Sequence, residues 1–149
     1  PLGISLSIEH APYTSIRKAA DVLALIRTLN MSNATVLSDP LHVSRSGDKA
    51  SSLRAIPRDL LPYADFCDAP AAIPSFDRLI HEARGGRLYP GEGGLDLGAF
   101  LDALPPTAAL RLEGPRHDDP RPITEKASDA IAAARRLLSR RPLVLGAFA

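Results

Sequence analysis

An α/β chain of parallel strands, half of a (β/α) barrel, is the fold that this sequence predicts. Three observations carry it. Strand-like and helix-like hydrophobic periods alternate along the chain, which calls for parallel strands joined by helical crossovers. The first strand segment, "GISLSIEH" (3–10), sets branched apolar residues against small polar ones. An open sheet covered by helices on both sides would be apolar on both faces, whereas a barrel strand shows helices one face only. Finally, four βα units fill the chain, and a complete eight-unit barrel takes ~250 residues.

The elements follow in order. In residues 3–10, Ile4, Leu6 and Ile8 share one face and Ser5, Ser7 and Glu9 the other. Residues 15–30 place Ile16, Ala19, Ala20, Leu23 and Ile26 on one helical stripe, with Thr14 or Ser15 as N-cap. "NATVLSD" (33–39) is the second strand, and a short helix near Leu53–Leu61 is interrupted by Pro57. "YADFCDAP" (63–70) is the third strand, followed by a helix over 75–84 that starts at Ser75 and buries Phe76, Leu79, Ile80 and Ala83. Residues 95–104 form a helix capped by Asp96, carrying Leu97, Phe100, Leu101 and Leu104. "AALRLEG" (108–114) is the fourth strand. A last helix over 123–139 repeats Ile123, Ala127, Ala130, Ile131, Ala134 and Leu138. No internal repeat and no low-complexity tract interrupts this order.

Composition narrows the function classes. Eighteen basic residues against seventeen acidic ones leave a formal net charge of +1, which gives no electrostatic case for a nucleic acid or an anionic membrane as partner. No apolar run approaches the ~20 residues of a membrane span, and no signal peptide is visible. The single cysteine, Cys67, excludes an intrachain disulfide framework and fits a reducing cytoplasm. The chain opens at Pro1 inside a strand pattern, so the expectation is a piece of a longer product. Four βα units leave two open sheet edges and an uncovered interior, so residues 1–149 should pack against a separate N-terminal half or pair as a homo-oligomer.

The strand ends carry the chemistry. Asp39 in "VLSDPLH" (36–42) reads by itself as turn chemistry, because Asp before Pro starts turns. Yet Glu9 closes the first strand, Asp39 the second and Glu113 the fourth, and the third holds Asp65 and Asp68. Parallel strands end on one side, so these acids gather at one rim. Carboxylates crowded together repel unless a cation sits among them, and a divalent metal ion is the economical one.

These residues resemble the xylose-isomerase-like sugar-phosphate isomerase/epimerase superfamily of TIM barrels, C-terminal half, over roughly residues 3–139. The likeness rests on "SIEHAPYT", "SDPLHVSRSGD", "DFCDAP", "RLYPGEGGLDL" and "LRLEGPR" in that order. It implies metal-binding roles for Glu9, Asp39 and Glu113, and substrate-oxygen contacts for His42, the histidine of D-x-x-H, and for Arg87 before Pro-Gly. The fourth metal position, His in the epimerases and Gln in a related dehydratase branch, falls on Asp65. An all-oxygen set of Glu9, Asp39, Asp65 and Glu113 suits Mg²⁺ or Mn²⁺ better than Zn²⁺.

The chemistry expected of this set is proton removal next to a carbonyl, with Glu9 and Glu113 handling protons and the metal stabilising an enediolate. The substrate class is a ketose, a related polyol or their phosphates. Two other readings stand beside it: a lyase dehydrating a cyclic hydroxy-ketone, and a half-barrel that only binds or assembles. The remaining candidates read as structural. His10 should point away from the site, and His81 should lie at the surface or in packing. His117, in a charged loop near the rim, is left open between a structural and a site role, and Cys67 should be a buried, inert thiol. "GEGG" (91–94) lacks the Lys and Ser/Thr of a phosphate-binding P-loop. "ARRLLSRR" (134–141) reads as the solvated end of a helix.

Overall fold

The computed structural model describes residues 3–140. Four strands, β1 (Leu6–Glu9), β2 (Ala34–Leu37), β3 (Tyr63–Phe66) and β4 (Ala109–Leu112), alternate with five α-helices. These are α1 (Ala19–Thr28), α2 (Pro40–Arg45), α3 (Leu79–Gly85), α4 (Leu97–Ala103) and α5 (Ile123–Ser139). β1 pairs in parallel with β2, and β3 with β4. A single parallel bridge between Ser38 and Ala64 joins the two pairs, with Asp65 N–H donating to Ser38 C=O at 2.9 Å. The strands therefore run in the order of the sequence, as in consecutive barrel units, and the described residues close no barrel.

The strand faces divide as the alternation requires. Ile8, Val36, Ala64, Phe66, Leu110 and Leu112 point to the helical side, where they meet Val22, Leu23 and Ile26 of α1 and Phe100 of α4. The opposite face carries Ser7, Thr35, Asp65 and Arg111; the Ser7 and Thr35 hydroxyls bond each other at 2.7 Å across β1 and β2. Ile4 and Leu6 share the face of Ile8 but remain 60% and 46% exposed, because no described element covers that end of β1.

Several boundaries move for identifiable reasons. α1 begins at Ala19, not near residue 15, because the Asp21 carboxylate accepts from both Arg17 N–H and Lys18 N–H and sets the first turn there. Thr14 is spent upstream, donating to Ala11 and Ile16 carbonyls. The helix stops at Thr28, where Asn30 adopts φ +49 and Met31 N–H reaches back to Ile26 C=O at 3.0 Å. The segment around Pro57 is two 3₁₀ turns, Ala50–Ala55 and Arg58–Leu60. α3 is preceded by a 3₁₀ turn, Phe76–Arg78, whose tighter pitch rotates Phe76 outward; Phe76 and Ile80, expected in the core, are exposed. α4 is capped by Asp96 as expected, through Ala99 N–H at 2.9 Å. α5 has the predicted limits, but of its apolar stripe only Ala134 is buried, and Ile123 is 75% exposed.

Helix α2 was not anticipated, and it positions the site. Asp39 is its N-cap, accepting from Leu41 N–H at 2.7 Å, with Pro40 at the first helical position. A buried two-pronged pair then fixes α2 to α3. Arg45 donates to both Glu82 oxygens at 2.7 and 2.8 Å and to Pro70 C=O at 2.7 Å.

Candidate metal centre

Glu9, Asp39, Asp65 and Glu113 each place one oxygen within 4.8 Å of the others, at the C-terminal ends of four parallel strands. Glu9, Asp39 and His42 form a second, overlapping group by the same measure. All six residues named from the sequence converge here. Asp39 and Asp65 are fully buried, whereas Glu9 keeps 34% and Glu113 39% of their side chains exposed.

Arg87 enters the middle of this set. Its guanidinium pairs with Asp39 and, at 3.1 Å, with Glu113 Oε2, while its Nε donates to Ala83 C=O at 2.8 Å. It is 3% exposed, so in this structure it compensates the carboxylates instead of facing outward to a substrate. Burial alone would raise the Asp39 carboxyl. The charges of Arg87 and His42 and the Leu41 N–H outweigh burial and hold it below the ordinary range. Glu9 has no such guard. Burial, reinforced by Asp39, Glu113 and Asp65, pushes it up to about 7. Glu113 is also raised, by burial and then by Asp65 and Asp39 against the pull of Arg87.

His42 lies 3.7 Å from Glu9 Oε1 and edge-on to the Tyr13 ring. Burial lowers it to about 4, so at neutral pH it is an uncharged imidazole, and its Nδ1 is buried without a hydrogen-bond partner. Glu113 Oε2 is likewise buried and lacks a well-aligned hydrogen bond. Glu113 Oε2 has the Arg87 ion pair in place of such a bond, so His42 Nδ1 is the buried polar atom of this rim left without a partner among the described residues.

One participant was not legible as a site residue. Arg111, register partner of Asp65 on β4, grips both Asp65 oxygens at 2.5 and 2.8 Å. Cys67 is a buried thiol raised well above its usual pKa by burial, as expected. It is not without a partner, however: Sγ lies 3.1 Å from Arg87 Nη1 and 3.5 Å from Asp39 Oδ1. Asp68 faces the other way and is removed as an alternative ligand. Its Oδ2 accepts from Gly91 and Gly93 N–H, and its Oδ1 from Ala69 and Leu95 N–H. The glycine loop thus does cradle an anion, the chain's own Asp68.

The other three histidines make contacts away from the carboxylate set. His10 is fully buried on the helical side, near Arg17 C=O at 3.3 Å and Ser38 Oγ at 3.5 Å. His81 and His117 stack edge-on at 6.5 Å, with the His117 ring packed on Gly85. A surface hollow of about 430 Å³, lined by Val43, Ser44, Lys49 and Phe100 among others, lies away from the carboxylates between α2 and α4.

A donor set of four carboxylates and one neutral imidazole fits a divalent cation. Four carboxylates against the two guanidiniums of Arg87 and Arg111 leave a formal charge of two minus, which such an ion cancels.

The fold and the rim of strand-end acids define a class by fold alone: part of a TIM barrel. Comparison with solved structures agrees. The chain is similar to a xylose isomerase-like TIM barrel/4-hydroxyphenylpyruvate dioxygenase fusion protein (TM-score 0.77, 22% identity, 97% of this chain and 25% of that one). It is also similar to the IolI protein with a bound zinc atom (TM-score 0.63, 22% identity, 91% and 47%). A third is the 3-keto-D-glucoside 4-epimerase YcjR from E. coli (TM-score 0.61, 20% identity, 90% and 46%). The chain thus spans about a quarter of the fusion protein and about half of the other two. No family model and no curated protein matches the chain. No described helix is long and apolar enough to cross a membrane.

Proposed function

We propose that this chain supplies the metal-binding half of a sugar isomerase or epimerase that works by proton abstraction next to a carbonyl. The observation that carries the reading is the convergence of four strand-end carboxylates within 4.8 Å. Glu9, Asp39, Asp65 and Glu113 would hold Mg²⁺ or Mn²⁺, the ions that an all-oxygen set favours. The bound ion supplies electrostatic stabilisation to the negative charge that grows on the substrate's carbonyl oxygen.

The chain's own residues do the rest. Glu9, partly exposed at the rim, would be the proton carrier. Glu113 stands across the rim and serves the opposite face of the carbon. His42, neutral and with an unsatisfied Nδ1, is suited to bond a substrate hydroxyl. Arg87 holds Asp39 ionised and keeps Glu113 oriented. Neighbouring structures of roughly twice the covered length support completion by an N-terminal half of the barrel or by a second copy. The exposed Leu6 and the uncovered α5 stripe are surfaces that such a partner would bury.

The test is a ketose panel incubated with the full-length protein and Mn²⁺ in D₂O, read by NMR. Metal-dependent deuterium uptake at the carbon beside the carbonyl, lost in Glu9→Gln, supports the reading. Formation of a dehydrated product would favour the lyase, and no exchange on any sugar would refute the proposal.

A further inference from the structure

Asp65 and Arg111 face each other in register on β3 and β4, on the face of the sheet opposite the helices. Arg111 grips both carboxylate oxygens side-on, at 2.5 and 2.8 Å. The geometry is a matched fork, and it pins the fully buried Asp65 in one rotamer. Arg111 itself lies 57% exposed, so its guanidinium is hydrated on its far side and stays charged at all relevant pH. It is two residues before Glu113, hence on the same face of β4 and beside a second member of the carboxylate set.

We infer that Arg111 is a positioning residue that makes Asp65 count as a neutral donor in the metal site. Each carboxylate oxygen has a second lone pair beyond the one Arg111 uses, so Asp65 still offers an oxygen to a cation. Its charge, however, is cancelled at hydrogen-bond distance. With Arg87 already set against Asp39 and Glu113, the ion therefore meets a formal charge of two minus instead of three minus. Without Arg111 the unshielded Asp65 carboxylate would bind the ion more tightly and drain its capacity to draw electron density from a substrate. The pair thus tunes metal affinity and Lewis acidity together. Arg87 does not substitute for it, since its guanidinium is engaged by Asp39, Glu113 and Ala83 C=O.

This inference rests on the metal reading above, and its test separates the two. Mn²⁺ binding is measured by calorimetric titration of the full-length protein near neutral pH, for wild type, Arg111→Gln, Asp65→Asn and the double variant. Charge compensation predicts that Arg111→Gln binds Mn²⁺ tighter by about tenfold and that Asp65→Asn binds it weaker by about tenfold. The double variant, which restores the net charge, should return to near the wild-type affinity. Arg111→Lys keeps the charge and should also stay near wild type, which guards against a simple folding defect. Weaker binding in both Arg111→Gln and the double variant would show that Arg111 only props the structure, and would overturn the inference. Unchanged affinity throughout would overturn it as well. Absence of Mn²⁺ binding in the wild type would overturn the metal reading itself, and this inference with it.

Discussion

Replacing Asp68 by Asn changes one atom of a side chain that is 2% exposed, and the structure says what that atom does. Each carboxylate oxygen accepts two backbone N–H groups, Ala69 and Leu95 on one side and Gly91 and Gly93 on the other, at 2.8 to 3.1 Å. Asn would turn its amide N–H₂ towards one of these pairs, whichever way it flips. Two hydrogen bonds are lost and two backbone donors are left facing another donor, each costing about 1–3 kcal/mol. A total of about 2–6 kcal/mol follows, equivalent to a fall in Tm of roughly 6–18 °C for a chain of this size. The loop that suffers is next to the site, because Asp68 and Leu88 exchange backbone bonds at 2.9 Å in the step directly after Arg87. Differential scanning calorimetry of the purified protein and of Asp68→Asn tests it. A Tm within about 2 °C of wild type would mean that the glycine loop does not depend on this carboxylate, and that the anion-cradle account is wrong.

Other expectations follow from the same contacts. Glu9 is raised from 4.5 to about 7, so its protonated form is favoured by folding. The metal-free protein should be fully stabilised by this group below about pH 4.5 and lose that stability as pH rises through about 7. With 34% of the side chain exposed, the loss is about 1 kcal/mol after solvent screening, and Glu9→Gln should abolish it in pH-resolved denaturant melts. Arg45→Met strands the Glu82 carboxylate and should cost about 3–5 kcal/mol by urea denaturation, most of it recovered in Arg45→Met/Glu82→Leu.

The alternation of strand and helix was readable because the hydrophobic period changes between two and 3.6 at each boundary. Parallel strands end on one side, and that put Glu9, Asp39, Asp65 and Glu113 at one rim. Asp39 shows why single residues mislead. Its turn reading holds, since one oxygen caps α2, yet the other meets Arg87 within the carboxylate set. Arg111 was out of reach because it reads as an ordinary polar position in "LRLEG". Only the register, which no local pattern encodes, sets it opposite Asp65. The exposed Ile123 and Ile131 are legible as apolar periodicity, but what covers them lies beyond local sequence.

The central claim is that the four strand-end carboxylates form one divalent-metal site. Calorimetric titration of Mn²⁺ into the metal-stripped, full-length protein, beside Glu113→Gln, tests it most directly. The account predicts a single saturable site in the wild type and affinity lower by about tenfold or more in Glu113→Gln. No saturable binding in the wild type, or equal affinity in both proteins, would contradict it.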